Sequence, residues 1–328
     1  MTIDTKNSAT YKEALLRRGY VYRTFMLNSE IYREYKAPNG WTWIYAKNFR
    51  NYPFTSISAR KISTNKQASY DFASLNGVTI PHTLYTHDLK AANSFLKKYG
   101  RVVVKPLNQS GGLGLTVDIS TKDHLKKAMK GASSGNIPVL VQEQFIGEEL
   151  RFTILRGKVE SIILRRSPRV VGDGTRSIME LIEVENIDRE ALHFPLLTYP
   201  QLQSTNIGID FMTDNAIPSK GEIIELSKTT MISKGASFYG VTNDVHKTYI
   251  DIAERLGLAL NSAMIVVDIM VKDYTKPATS DNYVFLEFNT SPAPQVYSSL
   301  RGGDKPAIID KIVSMIDEYA KQYAPGHA

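Results

Sequence analysis

The chain has 328 residues, a length that predicts about two domains of ordinary size. Hydrophobic residues make up 42% and charged residues 22%, and this usage excludes collagen-like, disordered and low-complexity proteins. The 40 basic and 33 acidic residues give a net charge of +7, which favours anionic ligands. The sequence contains no basic tract of the kind that is typical of nucleic-acid binding.

Cysteine is absent, which excludes a disulfide scaffold, a thiolate zinc site, an iron–sulfur cluster and a cysteine nucleophile. The first residues lack the apolar core of a signal peptide. The longest apolar stretch, 263–271, is interrupted by Asp268 and is too short to span a bilayer. We therefore expect a cytoplasmic protein with no membrane partner and no nucleic-acid partner.

The first 60 residues are rich in aromatic and basic side chains. Residues 41–45 alternate aromatic with smaller residues after the turn at Pro38, Asn39 and Gly40, which predicts a short strand. A mixture of aromatic and basic residues could stack on nucleotide bases. A strand whose rings pack on a core is the favoured interpretation.

Alternating helices and strands are predicted between residues 66 and 143. In chain order they are a helix over 66–76 ended by Gly77, a helix over 88–99 ended by Gly100, a strand over 101–106, a strand over 116–119, a helix over 121–130 and a strand over 139–143.

The later chain contains two predicted pairs of strands. They lie over 150–156 and 158–165, joined by a turn at Arg156 and Gly157, and over 263–271 and 283–289, for which an antiparallel hairpin is the natural pairing; helices are predicted over 249–256 and 306–323. Residues 187–248 are less regular, as is typical of active-site loops. The whole pattern predicts an α+β fold with at least two lobes.

A lysine at the end of a predicted strand is followed by a glycine-rich turn. Lys105 would supply one cation, and Ser110, Gly111, Gly112 and Gly114 would supply bare backbone N–H groups around the same volume. This pattern is typical of a phosphate cradle, although it is neither a Walker loop nor a dinucleotide-binding fingerprint. A plain glycine-rich turn is the alternative.

Three oxygen-bearing side chains lie on the last two predicted strands. Glu287 and Asn289 are two residues apart, so their side chains leave the same face, and Asp268 interrupts the neighbouring apolar strand. Such a set suits Mg²⁺, which prefers few protein ligands together with substrate phosphates. A salt bridge between Asp268 and an arginine such as Arg165 is an equally supported alternative.

Four arginines lie on or just beyond the strands of the hairpin 150–166: Arg151, Arg165, Arg166 and Arg169. Guanidinium groups bind carboxylates and phosphates in a bidentate manner, so this group could clamp an anionic substrate. A solvated charged face is the alternative, and for Arg169 alone it is the better one.

Together these motifs resemble the ATP-grasp superfamily of carboxylate–amine ligases, in particular the ATP-grasp module of cyanophycin synthetases and of bifunctional glutathione synthetases. The segments that carry the resemblance are 64–66 with 77–81, 102–114, 141–151, 165–182 and 286–289. The segment 165–182, Arg-Arg-Ser-Pro through Gly172-Asp-Gly174 to Leu181-Ile182, follows the subgroup pattern nearly residue for residue. The resemblance spans roughly residues 60 to 315.

The resemblance implies an ATP-grasp fold in which two α+β lobes clasp ATP, preceded by a short N-terminal segment. We divide the chain into this segment (1–60), a small lobe (61–147) and a C-terminal lobe with the metal site (148–328). It also implies activation of a carboxylate as an acylphosphate, followed by attack of an amine and release of ADP and phosphate.

The resemblance further implies a role for each motif residue. Lys66 and Lys105 would hold the ATP phosphates beside the glycine-rich turn, Glu143, Gln144, Phe145 and Ile146 would border adenine, and Glu149 would face the ribose. Asp268, Glu287 and Asn289 would hold Mg²⁺, with Mn²⁺ as an alternative. Arg165 would stabilise the acylphosphate, and Arg151 would orient the substrate carboxylate or a phosphate.

Two loops depart from the subgroup pattern. The usual arginine and asparagine of one loop are replaced by Ser227 and Met231, and the histidine after the metal site is replaced by Tyr297. We therefore expect retained ATP machinery and a rebuilt substrate pocket. The expected function is ligation of small-molecule carboxylates and amines, such as amino acids or short peptides, by a homodimer. A ligase acting on a protein or peptide terminus and a non-catalytic nucleotide-binding protein are the alternatives.

Overall fold

A computed structural model describes residues 6–46, 51–107, 114–133, 137–198, 216–292, 295–303 and 307–323. Its helices are α1 (Lys6–Leu16), α2 (Ile57–Thr64), α3 (Lys66–Leu75), α4 (Leu89–Tyr99), α5 (Lys122–Ala132), α6 (Ile178–Ala191), α7 (Lys247–Ala259), α8 (Gln295–Ser298) and α9 (Ile308–Gln322). None of these helices is long and apolar enough to cross a membrane.

The strands form four sheets in the described part of the chain. They are β1 (Val21–Leu27), β2 (Glu30–Lys36), β3 (Thr42–Ala46), β4 (Thr83–Thr86), β5 (Val102–Pro106), β6 (Thr116–Ile119), β7 (Val139–Glu143), β8 (Glu148–Leu155), β9 (Lys158–Arg166), β10 (Arg169–Val171), β11 (Ile223–Glu225), β12 (Ser237–Gly240), β13 (Met264–Val271) and β14 (Tyr283–Asn289).

The N-terminal residues fold into an antiparallel sheet of order β1-β2-β3. The predicted strand at 41–45 is confirmed as β3, whereas α1, β1 and β2 were not predicted from the sequence. The rings of Tyr35 and Trp43 are stacked, with centroids 5.6 Å apart, and both are buried in a cluster that includes α9 and one face of the large sheet. Because these rings are part of the core, base stacking by them is excluded.

The small lobe is an antiparallel sheet of order β4-β7-β5-β6 covered by α4 and α5. The two helices and the strands β5, β6 and β7 follow the sequence predictions closely. Asp88 caps α4 by accepting hydrogen bonds from the backbone N–H groups of Lys90 and Ala91, and Gly100 ends the helix at φ +75°. Local capping and glycine signals therefore specify this lobe.

The large lobe is built on a five-stranded sheet of order β12-β9-β8-β13-β14. Both predicted hairpins are confirmed, because β8 pairs with β9 and β13 pairs with β14 in antiparallel register. Apolar residues on one face of this sheet pack against α7 in a core cluster that also includes residues of α3. The other face carries the polar side chains described below.

Helix α6 was not predicted as a helix, although its start carries a recognisable signal. Ser177 and Glu180 form a capping box, in which each side chain satisfies a backbone N–H at the helix start. Its apolar residues Ile178, Leu181 and Ile182 pack with β10 in a small separate core. The segment 165–182, which follows the subgroup pattern, therefore comprises the end of β9, the short strand β10 and the start of α6.

Gly147 joins β7 of the small lobe to β8 of the large sheet. A Cβ atom built at this position would lie 2.3 Å from the carbonyl oxygen of Val271, a distance that requires the backbone to shift. Gly147→Ala is therefore expected to lower the free energy of unfolding by about 1–3 kcal/mol in chemical denaturation. Gly131→Ala is the matched control, since its Cβ meets nothing within 4 Å, and helix propensity should give roughly 0.5–1 kcal/mol of added stability. Equal effects of the two substitutions would contradict this account.

Candidate active site

The polar face of the large sheet carries charged residues from four neighbouring strands. The strand register places Glu149 opposite Arg165, Arg151 opposite Asp268, and Asp268 opposite Glu287. Directly opposite residues share a face of the sheet, so the side chains of these five residues converge. The predicted neighbourhood of Asp268 and Glu287 is present.

Arg151 and Asp268 form the centre of the cluster. The Arg151 Nε and Nη2 atoms donate to the two carboxylate oxygens of Asp268 at 2.8 and 2.6 Å, and both side chains are buried. Burial alone would lower the pKa of Arg151 and raise that of Asp268, but the mutual ion pair reverses both directions. The predicted salt bridge between Asp268 and an arginine is confirmed: Arg165 lies 3.6 Å from Asp268, and Arg151, which was not predicted as its partner, makes the shorter bidentate contact.

Arg165 lies beside this pair and connects the sheet to the loop that departs from the subgroup pattern. Its Nη1 donates to Glu149, and its Nη2 donates to the carbonyl oxygen of Thr230 at 2.9 Å. The Thr230 hydroxyl also donates to Glu149. The Arg165 Nε is buried and has no acceptor among the described residues.

The same contacts occupy Glu149, which the resemblance assigned to the ribose. Glu149 is buried, and both of its carboxylate oxygens already accept hydrogen bonds, from Arg165 and from Thr230. These contacts position Arg165. The ribose role of Glu149 stays a prediction.

Glu287 lies opposite Asp268 in the strand register, and the charges of two lysines act on it. Burial and the negative charge of Asp268 raise the pKa of Glu287, although Arg151, Lys66 and Lys105 act in the opposite direction. Burial also lowers the pKa of Lys66, which the charge of Glu287 partly offsets. Lys66 begins α3, which packs against β14, and Lys105 lies on β5 of the small-lobe sheet.

Lys105 is held at the end of β5 by a tyrosine. Its Nζ donates to the hydroxyl of Tyr70 at 2.8 Å and lies 5.3 Å from the centroid of that ring. The Tyr70 ring in turn packs edge-on against Phe285 of β14. Residues 108–113, with Ser110, Gly111 and Gly112, lie outside the described residues. Gly114 has φ +70°, and a Cβ there would lie 2.8 Å from Pro106, so the turn requires glycine.

The predicted adenine border forms the link between the two sheets. The backbone N–H groups of Glu143 and Gln144 donate to the carbonyls of His82 and Arg101, at 3.0 and 3.1 Å. Phe145 is half-buried beneath the ammonium group of Lys272, and Ile146 is exposed. The backbone N–H groups of Glu143 and Gln144 are therefore used within the small lobe. The adenine role of Phe145 and Ile146 stays a prediction.

The oxygen donors of the predicted metal site fit a divalent cation to different degrees. Among the described residues no three His, Cys, Asp or Glu side chains are grouped as a metal site. Glu287 is the best donor, because a cation would replace the proton that its raised pKa favours. The Asn289 Oδ1 accepts a hydrogen bond from the Ser291 N–H at 2.8 Å, and the Asp268 oxygens hold Arg151, but each of these oxygens keeps a further lone pair.

Arg166 and Arg169 are not brought to this cluster. Arg166 alternates with Arg165 along β9 and pairs with Glu148 at 3.0 Å. Arg169 pairs with the half-exposed Glu225 at 3.5 Å. The alternative interpretation, a charged face in contact with solvent, therefore applies to Arg169. Of the four arginines, Arg151 and Arg165 belong to the charged cluster.

The site also contains residues that sequence reasoning did not identify. Tyr70 and Thr230 position Lys105 and Arg165, as described above. Tyr297, where the subgroup has histidine, is buried, and its hydroxyl is 3.0 Å from that of Thr153, which lies on the same face of β8 as Arg151. Burial raises the pKa of Tyr297. The only sequence signal for Tyr297 was its departure from the subgroup pattern.

Residues 65–187 match the family model described as the ATP-grasp domain of prokaryotic glutathione synthetase. The chain is 26% identical over 270 residues to cyanophycin synthetase of Trichormus variabilis. The aligned region covers 80% of this chain and 30% of that protein. It is also 24% identical over 284 residues to the glutathione biosynthesis bifunctional protein GshAB of Pasteurella multocida, and this aligned region covers 83% of this chain and 38% of that protein. The chain therefore spans well under half the length of these relatives.

Among solved structures, the bifunctional glutathione synthetase from Pasteurella multocida superposes with a TM-score of 0.59 at 22% identity, over 94% of this chain and 44% of that one. The D-alanine–D-alanine ligase from Bacillus anthracis gives 0.50 at 16% identity, over 82% and 70%. At these identities the likeness establishes the fold. The ATP-grasp fold and the resemblance predicted from the motifs are confirmed.

Proposed function

We propose, starting from the ATP-grasp fold of this chain, that it is an ATP-dependent carboxylate–amine ligase that forms an amide bond through an acylphosphate. The proposal rests above all on Arg165. Its side chain is 12% exposed, its guanidinium is fixed by Glu149 and Thr230, and its Nη1 lies 3.6 Å from Asp268 at the centre of the charged cluster. Such a fixed cationic donor suits charge that develops during acyl and phosphoryl transfer.

The reaction begins with the substrate carboxylate. One of its oxygens attacks the γ-phosphorus of ATP, the bond from that phosphorus to the β–γ bridging oxygen breaks, and ADP leaves. The amine then attacks the acyl carbon, phosphate leaves with the electron pair of the C–O bond, and the nitrogen loses a proton. In our proposal, Lys66 and Lys105 hold the phosphates from the small lobe, while Arg165 neutralises charge on the acylphosphate.

The proposed role of Arg151 follows from its partner. Because both oxygens of Asp268 hold its guanidinium, Arg151 has a fixed orientation from which its Nη1 can contact a substrate carboxylate or phosphate. Glu287 and Asn289, with the remaining lone pairs of Asp268, would hold Mg²⁺ or Mn²⁺. The chemistry that the cation would supply there is neutralisation of negative charge on the phosphates.

The proposed substrates are amino acids or short peptides. Three observations bear on their selection: Ser227 is buried in the loop that also supplies Thr230, Tyr297 is buried beside Thr153, and the aromatic N-terminal sheet shares a core with Tyr297. At two of these places a residue of the subgroup pattern is replaced: its arginine by Ser227 and its histidine by Tyr297. We therefore expect a substrate range that differs from those of cyanophycin and glutathione synthesis.

An amino-acid panel tests this function directly. Purified protein is incubated with ATP, Mg²⁺ and pairs of carboxylates and amines, and ADP release and product mass are recorded together. The expected result is ADP release that requires both substrates and yields one product with the mass of the pair minus water. ATP binding without turnover on any pair would favour the non-catalytic alternative, and a mass shift found only on an added protein would favour modification of a protein terminus.

A further inference from the structure

Strand β1 is the edge of the N-terminal sheet. The sheet order is β1-β2-β3, so among the described residues β1 pairs only with β2, and its outer side presents backbone N–H and C=O groups. The strand has seven residues and includes no proline or lysine. Val21, Met26 and Leu27 are 64%, 63% and 55% exposed. The one charged residue of this edge is Arg23, which pairs with Glu34 of β2, so the edge is otherwise apolar or uncharged.

A second copy of the same edge fits this strand only in certain registers. Two identical strands related by a two-fold axis perpendicular to the sheet pair in antiparallel fashion, and directly opposite residues point to the same face. Successive residues of a strand point to alternate faces, so each residue of one copy lies opposite a residue of the second copy whose number differs by an even amount. At the two-fold axis, one residue lies opposite its own copy. The register is therefore named by that central residue.

The register centred on Thr24 is the one that pairs all seven residues of Val21–Leu27. It places Val21 opposite Leu27 of the second copy and Tyr22 opposite Met26 of the second copy. It also places Arg23 opposite Phe25 of the second copy, where a cation–π contact is available, as already occurs within one chain at 5.6 Å. Every exposed apolar side chain of the strand thereby gains an apolar or aromatic partner.

The neighbouring registers are less favourable. Centring on Arg23 would place two guanidinium groups directly opposite each other, which is destabilising. Centring on Phe25 would bring Asn28 and Ser29 into the pairing, but these two residues form the hairpin turn with φ of +46° and +63°. Their left-handed backbone does not continue a strand. Of these three registers, the Thr24-centred one avoids both defects.

We propose that this protein forms a two-fold dimer in which the β1 strands of two copies pair around Thr24, joining two three-stranded sheets into one of six strands. A second copy is the occupant because the exposed side chains of β1 complement themselves. The proposed interface uses none of the charged residues of the candidate active site, so this inference stands or falls separately from the proposed function.

The chain has no cysteine, so a single introduced thiol reports this contact without interference. Directly opposite residues on antiparallel strands have Cα atoms roughly 4.5–5.5 Å apart, which lies within the range that a disulfide bridges. Thr24→Cys is therefore expected to form a covalent dimer of 2 × 36.7 = 73.4 kDa under mild oxidation. Val21→Cys is the matched control, since six residues at about 3.4 Å each would separate its two copies.

Selective cross-linking of Thr24→Cys supports the proposal. Equal cross-linking of both variants, or none in either, would overturn it. A second measurement does not depend on oxidation: sedimentation of the unmodified protein should show a concentration-dependent dimer, and Thr24→Lys should weaken dimerisation at least about tenfold by placing two ammonium groups together. At protein concentrations low enough for both proteins to be monomeric, the Thr24→Lys variant should keep the wild-type unfolding midpoint. A wild-type monomer at every concentration, or a dimer that Thr24→Lys leaves unchanged, would also overturn the proposal.

Discussion

Replacing Glu287 by glutamine is expected to lower ligase turnover by about a thousandfold, because a cation that binds phosphate oxygens contributes several kcal/mol to the transition state and each 1.4 kcal/mol is a tenfold change. Glutamine keeps the size of the side chain and one oxygen, but it removes the negative charge that the cation needs. The measurement is the rate of ADP release at saturating ATP and Mg²⁺. Glu318→Gln is the control, since this exposed carboxylate pairs with Arg156 at the surface and its loss should leave the rate unchanged.

The same substitution is expected to preserve or increase stability. The pKa of Glu287 is raised in the folded state by burial and by Asp268, so ionisation of this group favours the unfolded chain. Its contribution to stability is fully present below the unfolded pKa and is lost as the pH rises through the folded pKa. In the ATP-free and metal-free protein, the unfolding midpoint of Glu287→Gln should therefore equal that of wild type in acid and exceed it at higher pH. Unchanged turnover would contradict the metal assignment, whereas a lowered midpoint at every pH would show that Glu287 has a structural role.

Replacing Lys105 by alanine is expected to raise the ATP concentration needed for half-maximal rate by about 10- to 100-fold. A hydrogen bond to a charged group contributes roughly 1.5–3 kcal/mol, and Lys105 is one of two lysines that face the proposed phosphate position. The measurement is an ATP titration of ADP release at saturating carboxylate and amine.

The control for this prediction is Lys98→Ala. Lys98 also has its ammonium group near a tyrosine ring, at 5.0 Å from the centroid of Tyr99, but it is exposed on α4. Loss of a lysine–tyrosine contact is common to both variants, and only Lys105 lies at the candidate site. A normal ATP titration for Lys105→Ala would refute its role, and equal shifts in the two variants would point to a general effect of lost positive charge.

Much of the fold could be predicted because its signals are local. Asp88 and Gly100 bound α4, the turn at Arg156 and Gly157 joins β8 and β9, and the interrupted apolar strand that carries Asp268 pairs with the strand of Glu287 as expected. Caps, glycine turns and period-two apolar runs depend on a few adjacent residues. For the same reason the likeness to ATP-grasp ligases could be recognised before any tertiary contact was known.

The partners of the charged residues could not be predicted, because they depend on strand order. Asp268 pairs with Arg151, which is 117 residues earlier in the chain, and β8 is the neighbour of β13 only in the folded sheet. Arg165 was named as an example of such a partner, and it lies on the same hairpin as Arg151. The involvement of Thr230 was equally hidden, since it lies in an irregular loop without periodicity.

The N-terminal segment shows a different limit of sequence reasoning. Strand β3 was predicted from its aromatic alternation, but β1 and β2 were not, because Arg33 and Glu34 interrupt the apolar pattern and yet are buried. The boundaries at residues 60 and 147, the cytoplasmic location and the division of roles among the site residues remain predictions. The two loops that depart from the subgroup are the first places to examine for substrate choice.

The central claim is acylphosphate chemistry, and transfer of oxygen isotope tests it most directly. A carboxylate substrate identified in the panel is labelled with ¹⁸O at both oxygens, and the phosphate released during ligation is analysed by mass spectrometry. The account predicts one ¹⁸O atom in each inorganic phosphate, with ADP as the nucleotide product. Label in AMP, or phosphate without label while the amide forms, would contradict it.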